Sequence, residues 1–259
     1  MKDPANQPKI SPIPSRKIRW AWKTYLVLIH VVLIVGLFRH DLVQRVEQIF
    51  LGTPAVFDDY RGMVEAQKAQ AKCMSDNCII FLGNSITYGL DMKAVTNGNV
   101  MNFGINSDNT EGMLWRIAQY PNLKSAKAIV LSIGINDLSR FDDNKIISNY
   151  NKILNSLPEV PVIVSCLLPI NEHLCTRANI SYLTGNKATN ARIKSINREL
   201  KDLCRHFPNV TLIDAFELMS DETGNLRPEY TTDGVHLTAL GYDAWIRFLK
   251  ARLAEKVDR

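Results

Sequence analysis

Patterned cysteines, surplus positive charge on the body, internal repeats and low-complexity tracts are all missing from this chain. Its five cysteines (Cys73, Cys78, Cys166, Cys175 and Cys204) follow no zinc-site spacing, because Cys73 and Cys78 have no second pair nearby. Seven of the 31 Lys/Arg and one of the 26 Asp/Glu fall in residues 1–40, leaving 24 bases against 25 acids beyond them. The net charge of +5 therefore belongs to the N-terminus. A body this close to neutral argues against a nucleic-acid partner. With 46% hydrophobic and 22% charged residues, a length of 259 suits one sizeable domain plus an appendage.

Residues 20–38 form an apolar run with Trp20 and Trp22 at its basic end. That pattern predicts a single transmembrane signal anchor. No small-x-small cleavage site follows, which counts against a cleaved signal. The positive flank then places the N-terminus in the cytoplasm and residues 39–259 outside it, in a periplasm or its equivalent. The expected organisation is a disordered basic tail over 1–19, the anchor over 20–38, a juxtamembrane stalk or packing helix over 39–77, and the main domain over 78–259. In an exported domain Cys73 and Cys78 could close a small loop. They could equally stay reduced, and an odd count leaves one thiol unpaired in a monomer.

From residue 78 short apolar runs alternate with amphipathic stretches. The runs are Ile79–Leu82, Val100–Phe103, Ala128–Ile133, Val160–Leu168 and Val210–Ile213. Helical spacing appears near 109–119, 143–156, 187–206 and 238–255. Near-continuous apolar strands between helices predict an α/β fold, a flavodoxin-like doubly wound five-stranded parallel sheet with helices on both faces. Active sites in such sheets lie at the carboxyl ends of strands. Ser85, Gly104, Asn136 and Pro169 each fall just beyond one of these strands.

Ser85 follows Gly83-Asn84 at the tip of the first strand, and Asp233 precedes His236 by three residues. A serine hydroxyl is a weak nucleophile at neutral pH. His236 can take its proton, and Asp233 can orient and stabilise the resulting imidazolium. Acyl transfer also needs donors around the developing oxyanion. The backbone N–H of Ser85, the N–H of Gly104 and the side-chain amide of Asn136 are the candidates.

The set Gly83-Asn84-Ser85, Gly104, Gly134-Ile135-Asn136-Asp137 and Asp233-Gly234-Val235-His236-Leu237 resembles the SGNH (GDSL-type) hydrolase superfamily, in the family's order and over residues 78–255. The resemblance implies metal-independent ester hydrolysis without a cofactor. It makes Ser85 the nucleophile, His236 the base and Asp233 its orienter, with Ser85, Gly104 and Asn136 as the oxyanion hole. One departure is Asn84, where the family's commonest motif has Asp; a charge beside the nucleophile is lost and the local hydrogen bonds must differ.

The expected substrate is a short-chain carboxylic ester, such as an O-acetyl group on a carbohydrate. Alternatives are a lysophospholipase or thioesterase, an O-acyltransferase, and a carbohydrate-binding module that kept the fold. The segment 170–187 lies where substrate choice is usually set, and Arg177 and Tyr182 are its candidate contacts. Asp137 is expected to order the loop presenting Asn136. Asp108 and Glu111 are expected to favour a helix N-terminus.

Overall fold

The structure, a computed structural model, describes residues 25–31, 58–177 and 188–257. The chain divides into two compact units, Met1–Ala55 and Val56–Arg259. In the first, residues 25–31 are helical and largely exposed. The rest of the predicted anchor, 20–24 and 32–38, lies outside the described residues, as do 1–19 and 39–57. No described helix is long and apolar enough to cross a membrane.

The second unit opens with α1 (Asp58–Lys72). Tyr60, Val64, Gln67 and Ala71 are buried at helical spacing, so Asp58–Lys72 packs one face against the core. Then come β1 (Ile79–Gly83), two one-turn helices α2 (Ser85–Tyr88) and α3 (Met92–Val95), β2 (Val100–Gly104), α4 (Thr110–Ile117), β3 (Ala128–Ser132) and α5 (Asp143–Ser156). The remainder is β4 (Val162–Ser165), α6 (Glu172–Arg177), α7 (Asn190–Cys204), β5 (Val210–Ile213), α8 (Phe216–Met219) and α9 (Ala239–Val257). All five strands are parallel in the order β2-β1-β3-β4-β5, the predicted doubly wound arrangement.

Alternation along each strand feeds two cores. Ile80, Leu82, Ile129, Leu131, Val162 and Val164 pack with residues of α1, α4, α5 and α7. Ile79, Phe81, Val130 and Ile163 face the other way and pack with α2, α3, α8 and α9. Burial on both faces is why the strands read as unbroken apolar runs.

The predicted fourth strand was too long at both ends. Beyond Ser165 the ladder stops although Cys166, Leu167 and Leu168 are buried. Asn197 on α7 accepts from the Leu167 N–H at 2.9 Å and donates to its carbonyl at 2.9 Å, doing a neighbouring strand's work with a side chain. Asn190, two turns earlier, does the same for Ile170 at 2.9 and 2.8 Å. All five cysteines are free thiols, Cys73 exposed and Cys78 buried, so the Cys73–Cys78 bridge is not formed.

Candidate active site

Gly83 stands level with Gly104 and Ser132, so the loops after β1, β2 and β3 leave the sheet side by side. Asn84 then starts a one-turn helix. Its Oδ1 accepts from the Ile86 N–H at 3.0 Å, which fixes Ser85 at the first helical position. A neutral amide thus supplies the same capping oxygen that a carboxylate would. Ser85 is half-buried.

The carboxyl-terminal motif folds around Asp233. Its Oδ1 accepts from the N–H groups of Val235 and His236, both at 2.8 Å, leaving Oδ2 to meet His236 Nδ1 at 2.6 Å. His236 Nε2 lies 3.1 Å from Ser85 Oγ. The partners fix the tautomer: Nδ1–H donates to the carboxylate and Nε2 accepts from the serine hydroxyl. Burial alone would raise the Asp233 pKa, but the His236 ring and two backbone N–H groups outweigh it and hold the carboxyl below its usual range. The structure therefore brings together the three residues the sequence singled out, across 151 positions of chain.

The turn owes its shape to Gly234, at φ +97°. A Cβ there would lie 2.6 Å from the Asn171 carbonyl oxygen and 2.6 Å from Cys175 Sγ. Asn171 also donates its N–H to the Gly234 carbonyl at 2.8 Å. The start of α6 is thus seated directly behind the Asp233–His236 turn. Burial, helped by the charges of Asp233 and Glu172, pushes the Cys175 thiol up to about 11. On the other side, Tyr242 of α9 donates to the Ile86 carbonyl at 3.0 Å and ties the helix that follows the histidine's turn to the serine's helix.

The oxyanion candidates fare differently. Asn136 is buried and donates one amide hydrogen to the Asp108 carbonyl at 2.8 Å, which leaves its second hydrogen available. Gly104 does not offer its N–H, which is taken by Asn102 Oδ1 at 2.9 Å. Its lack of a side chain serves packing instead, since a Cβ would come within 2.2 Å of the Tyr88 nitrogen. Ser107, three residues on, is a further candidate that the sequence did not single out. It is exposed, sits at φ +59°, and donates its N–H to no group among the described residues. A non-glycine residue held there is strained, and such strain gathers at functional loops.

Asp137 holds this loop from behind, accepting from the Thr110 N–H at 3.1 Å and from the Thr110 hydroxyl. Burial pushes its carboxyl up to about 7 against those donors. Asp108 departs from its expected role. Asn109 caps α4, while Asp108 is buried and paired with Arg116. Arg177 ends α6, and Tyr182 lies outside the described residues. Among the described residues no cluster of three His, Cys, Asp or Glu side chains could hold a metal. A cavity of about 610 Å³ opens at the amino ends of β1, β2 and β3, beside Ile79, Asn99, Lys127 and Lys250, at the other end of the strands from this site.

The sequence model of the GDSL-like Lipase/Acylhydrolase family matches residues 81–244. No curated protein matches the chain. Among solved structures, one similar fold is a protein from Streptococcus pneumonia provisionally described as a platelet activating factor. It is 24% identical, covers 83% of this chain and 99% of its own, and has a TM-score of 0.69. A GDSL-like lipase from Bacteroides thetaiotaomicron is 19% identical over 74% of this chain and 97% of its own, with a TM-score of 0.62. An acetyl xylan esterase is 19% identical over 68% of this chain and 99% of its own, with a TM-score of 0.54. At these identities the structural likeness speaks for the fold.

Proposed function

The chain belongs to the GDSL-like lipase/acylhydrolase family and is a serine hydrolase acting on esters, and from that premise we propose that it removes short acyl groups, O-acetyl foremost, from a carbohydrate. The observation that carries the chemistry is the unbroken relay from Ser85 Oγ through the His236 ring to Asp233. Ser85 Oγ attacks the ester carbonyl and gives its proton to His236 Nε2. The tetrahedral oxyanion is met by the Ser85 N–H, the free amide hydrogen of Asn136 and, in place of Gly104, the unengaged N–H of Ser107. As the C–O bond breaks, the imidazolium returns the proton to the leaving alcohol, and acyl-Ser85 remains. Water then gives a proton to His236 and its hydroxide attacks the acyl carbon. Ser85 Oγ leaves with the proton held on His236, releasing the carboxylic acid.

The short acyl group is supported by the surroundings. Among described residues of the second unit, the large apolar side chains exposed near Ser85 and His236 are Tyr88 and Leu240, at 54% and 51%. A lipid chain would call for a longer apolar wall. The carbohydrate is supported by analogy of fold with the acetyl xylan esterase and with a carbohydrate esterase from Talaromyces cellulolyticus. Membrane anchoring through residues 20–38, with the hydrolase domain outside the cytoplasm, rests on the apolar run and its basic flank alone.

The test is hydrolysis of p-nitrophenyl esters from acetate to palmitate by the full chain, beside Ser85→Ala and His236→Ala. Both variants should lose about 10⁴-fold or more in kcat/KM, and acetate should be the best substrate. A preference for long chains would replace the proposal with a lipid acyl hydrolase. Acyl transfer to an added sugar in preference to water would make the protein a transferase. No turnover, with Ser85 unlabelled by a fluorophosphonate, would leave a binding module.

A further inference from the structure

We propose that Arg116, on the buried face of α4, is a positioning residue for ester cleavage: its one guanidinium holds in register the three segments that carry Ser85, Ser107 and Asn136. The inference rests on the esterase reading above. Arg116 has no exposed surface. Its Nη2 donates to the Gly83 carbonyl at 3.0 Å, two residues before the nucleophile. Its Nη1 donates to the Phe103 carbonyl at 2.8 Å, at the end of β2. Its Nε donates to Asp108 Oδ2 at 2.8 Å, directly after Ser107. The Asp108 main-chain oxygen in turn accepts the Asn136 amide at 2.8 Å. A single cation therefore touches the first two segments and the third through one residue.

The remaining groups close the network. Asp108 Oδ1 accepts from the Tyr60 hydroxyl at 2.9 Å and from the Asn109 N–H at 3.0 Å. Arg116 Nη1 also reaches the Tyr120 hydroxyl at 2.9 Å and Gln67 Oε1 at 3.3 Å, and Gln67 donates to the Gly104 carbonyl at 3.3 Å. A donor on each Asp108 oxygen is the arrangement of an ionised pair.

Stability does not explain such a pair. Burying two charges is costly, and well-packed apolar residues of similar volume are often as stable or more so. What an apolar filling cannot do is hold two strand-end carbonyls and a loop carboxylate at fixed mutual angles. The planar guanidinium fork does this; a lysine ammonium, a point donor on a flexible stem, cannot reach all three. Small displacements of oxyanion donors act on the transition state, so the effect belongs in kcat.

The experiment compares the full chain with Arg116→Lys, Tyr60→Phe and Leu249→Ala, the last a core truncation on the opposite face of the sheet. Kinetics with p-nitrophenyl acetate are taken well below every variant's Tm. Arg116→Lys should lose roughly 100-fold in kcat with KM held within about threefold. Leu249→Ala should lose Tm and keep kcat. A folded Arg116→Lys with wild-type kcat overturns the assignment, and so does a loss matched by Leu249→Ala. If Arg116→Lys does not fold, Tyr60→Phe decides: a roughly fivefold loss of kcat, the equivalent of one hydrogen bond, supports the assignment and an unchanged kcat overturns it. A wild type that turns over no ester overturns the esterase reading and this assignment with it. An active wild type beside an equally active lysine variant overturns this assignment alone.

Discussion

Replacing Gly234 with alanine adds one methyl group at the point where the Asp233–His236 turn meets the start of α6. Two costs follow from the geometry. The backbone is at φ +97°, a conformation that costs an L-residue roughly 1–2 kcal/mol. The new Cβ would sit 2.6 Å from the Asn171 carbonyl oxygen, 2.6 Å from Cys175 Sγ and 2.7 Å from the Cys175 nitrogen. Two of these three are backbone atoms, so the strain cannot be relieved by a rotamer change, and overpacking of this kind costs about 1–3 kcal/mol. The sum, about 2–5 kcal/mol, corresponds to a Tm drop of roughly 4–20 °C for a unit this size. Activity should fall further than stability. The part most free to yield is the turn itself, and it carries both Asp233 and His236, so a shift of about 1 Å there costs on the order of 100-fold in kcat. Circular dichroism melting and p-nitrophenyl acetate kinetics read the two effects. Adding Cys175→Ala removes one clash and leaves the backbone ones, so the double variant should regain part of both losses, with a coupling of about 0.5–3 kcal/mol. Wild-type Tm and kcat in Gly234→Ala would refute the reasoning.

Two further predictions concern protons. In Asp233→Asn an amide faces His236 Nδ1 and selects the tautomer whose Nε2 carries hydrogen, so kcat should drop roughly 10⁴-fold with the fold kept. Because the Asp233 carboxyl is held below its ordinary 3.8, its contribution to stability is present above that pH and is lost as pH falls through the lower folded value. Urea titrations from pH 6 down to about 2 should therefore show a shallower acid slope for the variant, and identical slopes would refute this. Asp137 runs the other way. Its folded pKa of about 7 lies above the ordinary 3.8, so its contribution is full below 3.8 and fades as pH rises through 7. Asp137→Asn should flatten stability between about pH 4 and 7, where the wild type declines, and a variant that declines as the wild type does over that range would count against a buried, proton-retaining carboxyl.

How far the sequence was legible depended on what each residue answers to. The strands could be read because burial on both faces leaves an apolar run with no polar interruption. Strand β4 was over-extended because Leu167 and Leu168 are as buried as strand residues, while the partners of the Leu167 backbone are the Asn197 side-chain atoms, 30 residues away. Helix α1 was faint because its buried stripe of Tyr60, Val64, Gln67 and Ala71 contains a glutamine and an alanine among many charges. Asp108 was misread because a carboxylate before a helix is ordinarily a surface charge; its partner, Arg116, lies two turns on and inside the core.

By itself the sequence determined the α/β alternation, the family, and Ser85, Asp233 and His236, because those depend on local periodicity and on residue types that the chemistry cannot exchange. The tertiary structure decided what those groups can use. Whether an N–H is free or already bonded is a matter of three-dimensional neighbours: that of Gly104 is engaged by Asn102, and that of Ser107, among the described residues, is not engaged. The same holds for the buried cation beneath the loops. Arg116 reads as an ordinary helical charge until the fold closes over it, and only then do Gly83, Phe103 and Asp108 become its partners, since a charge removed from water must find them or leave.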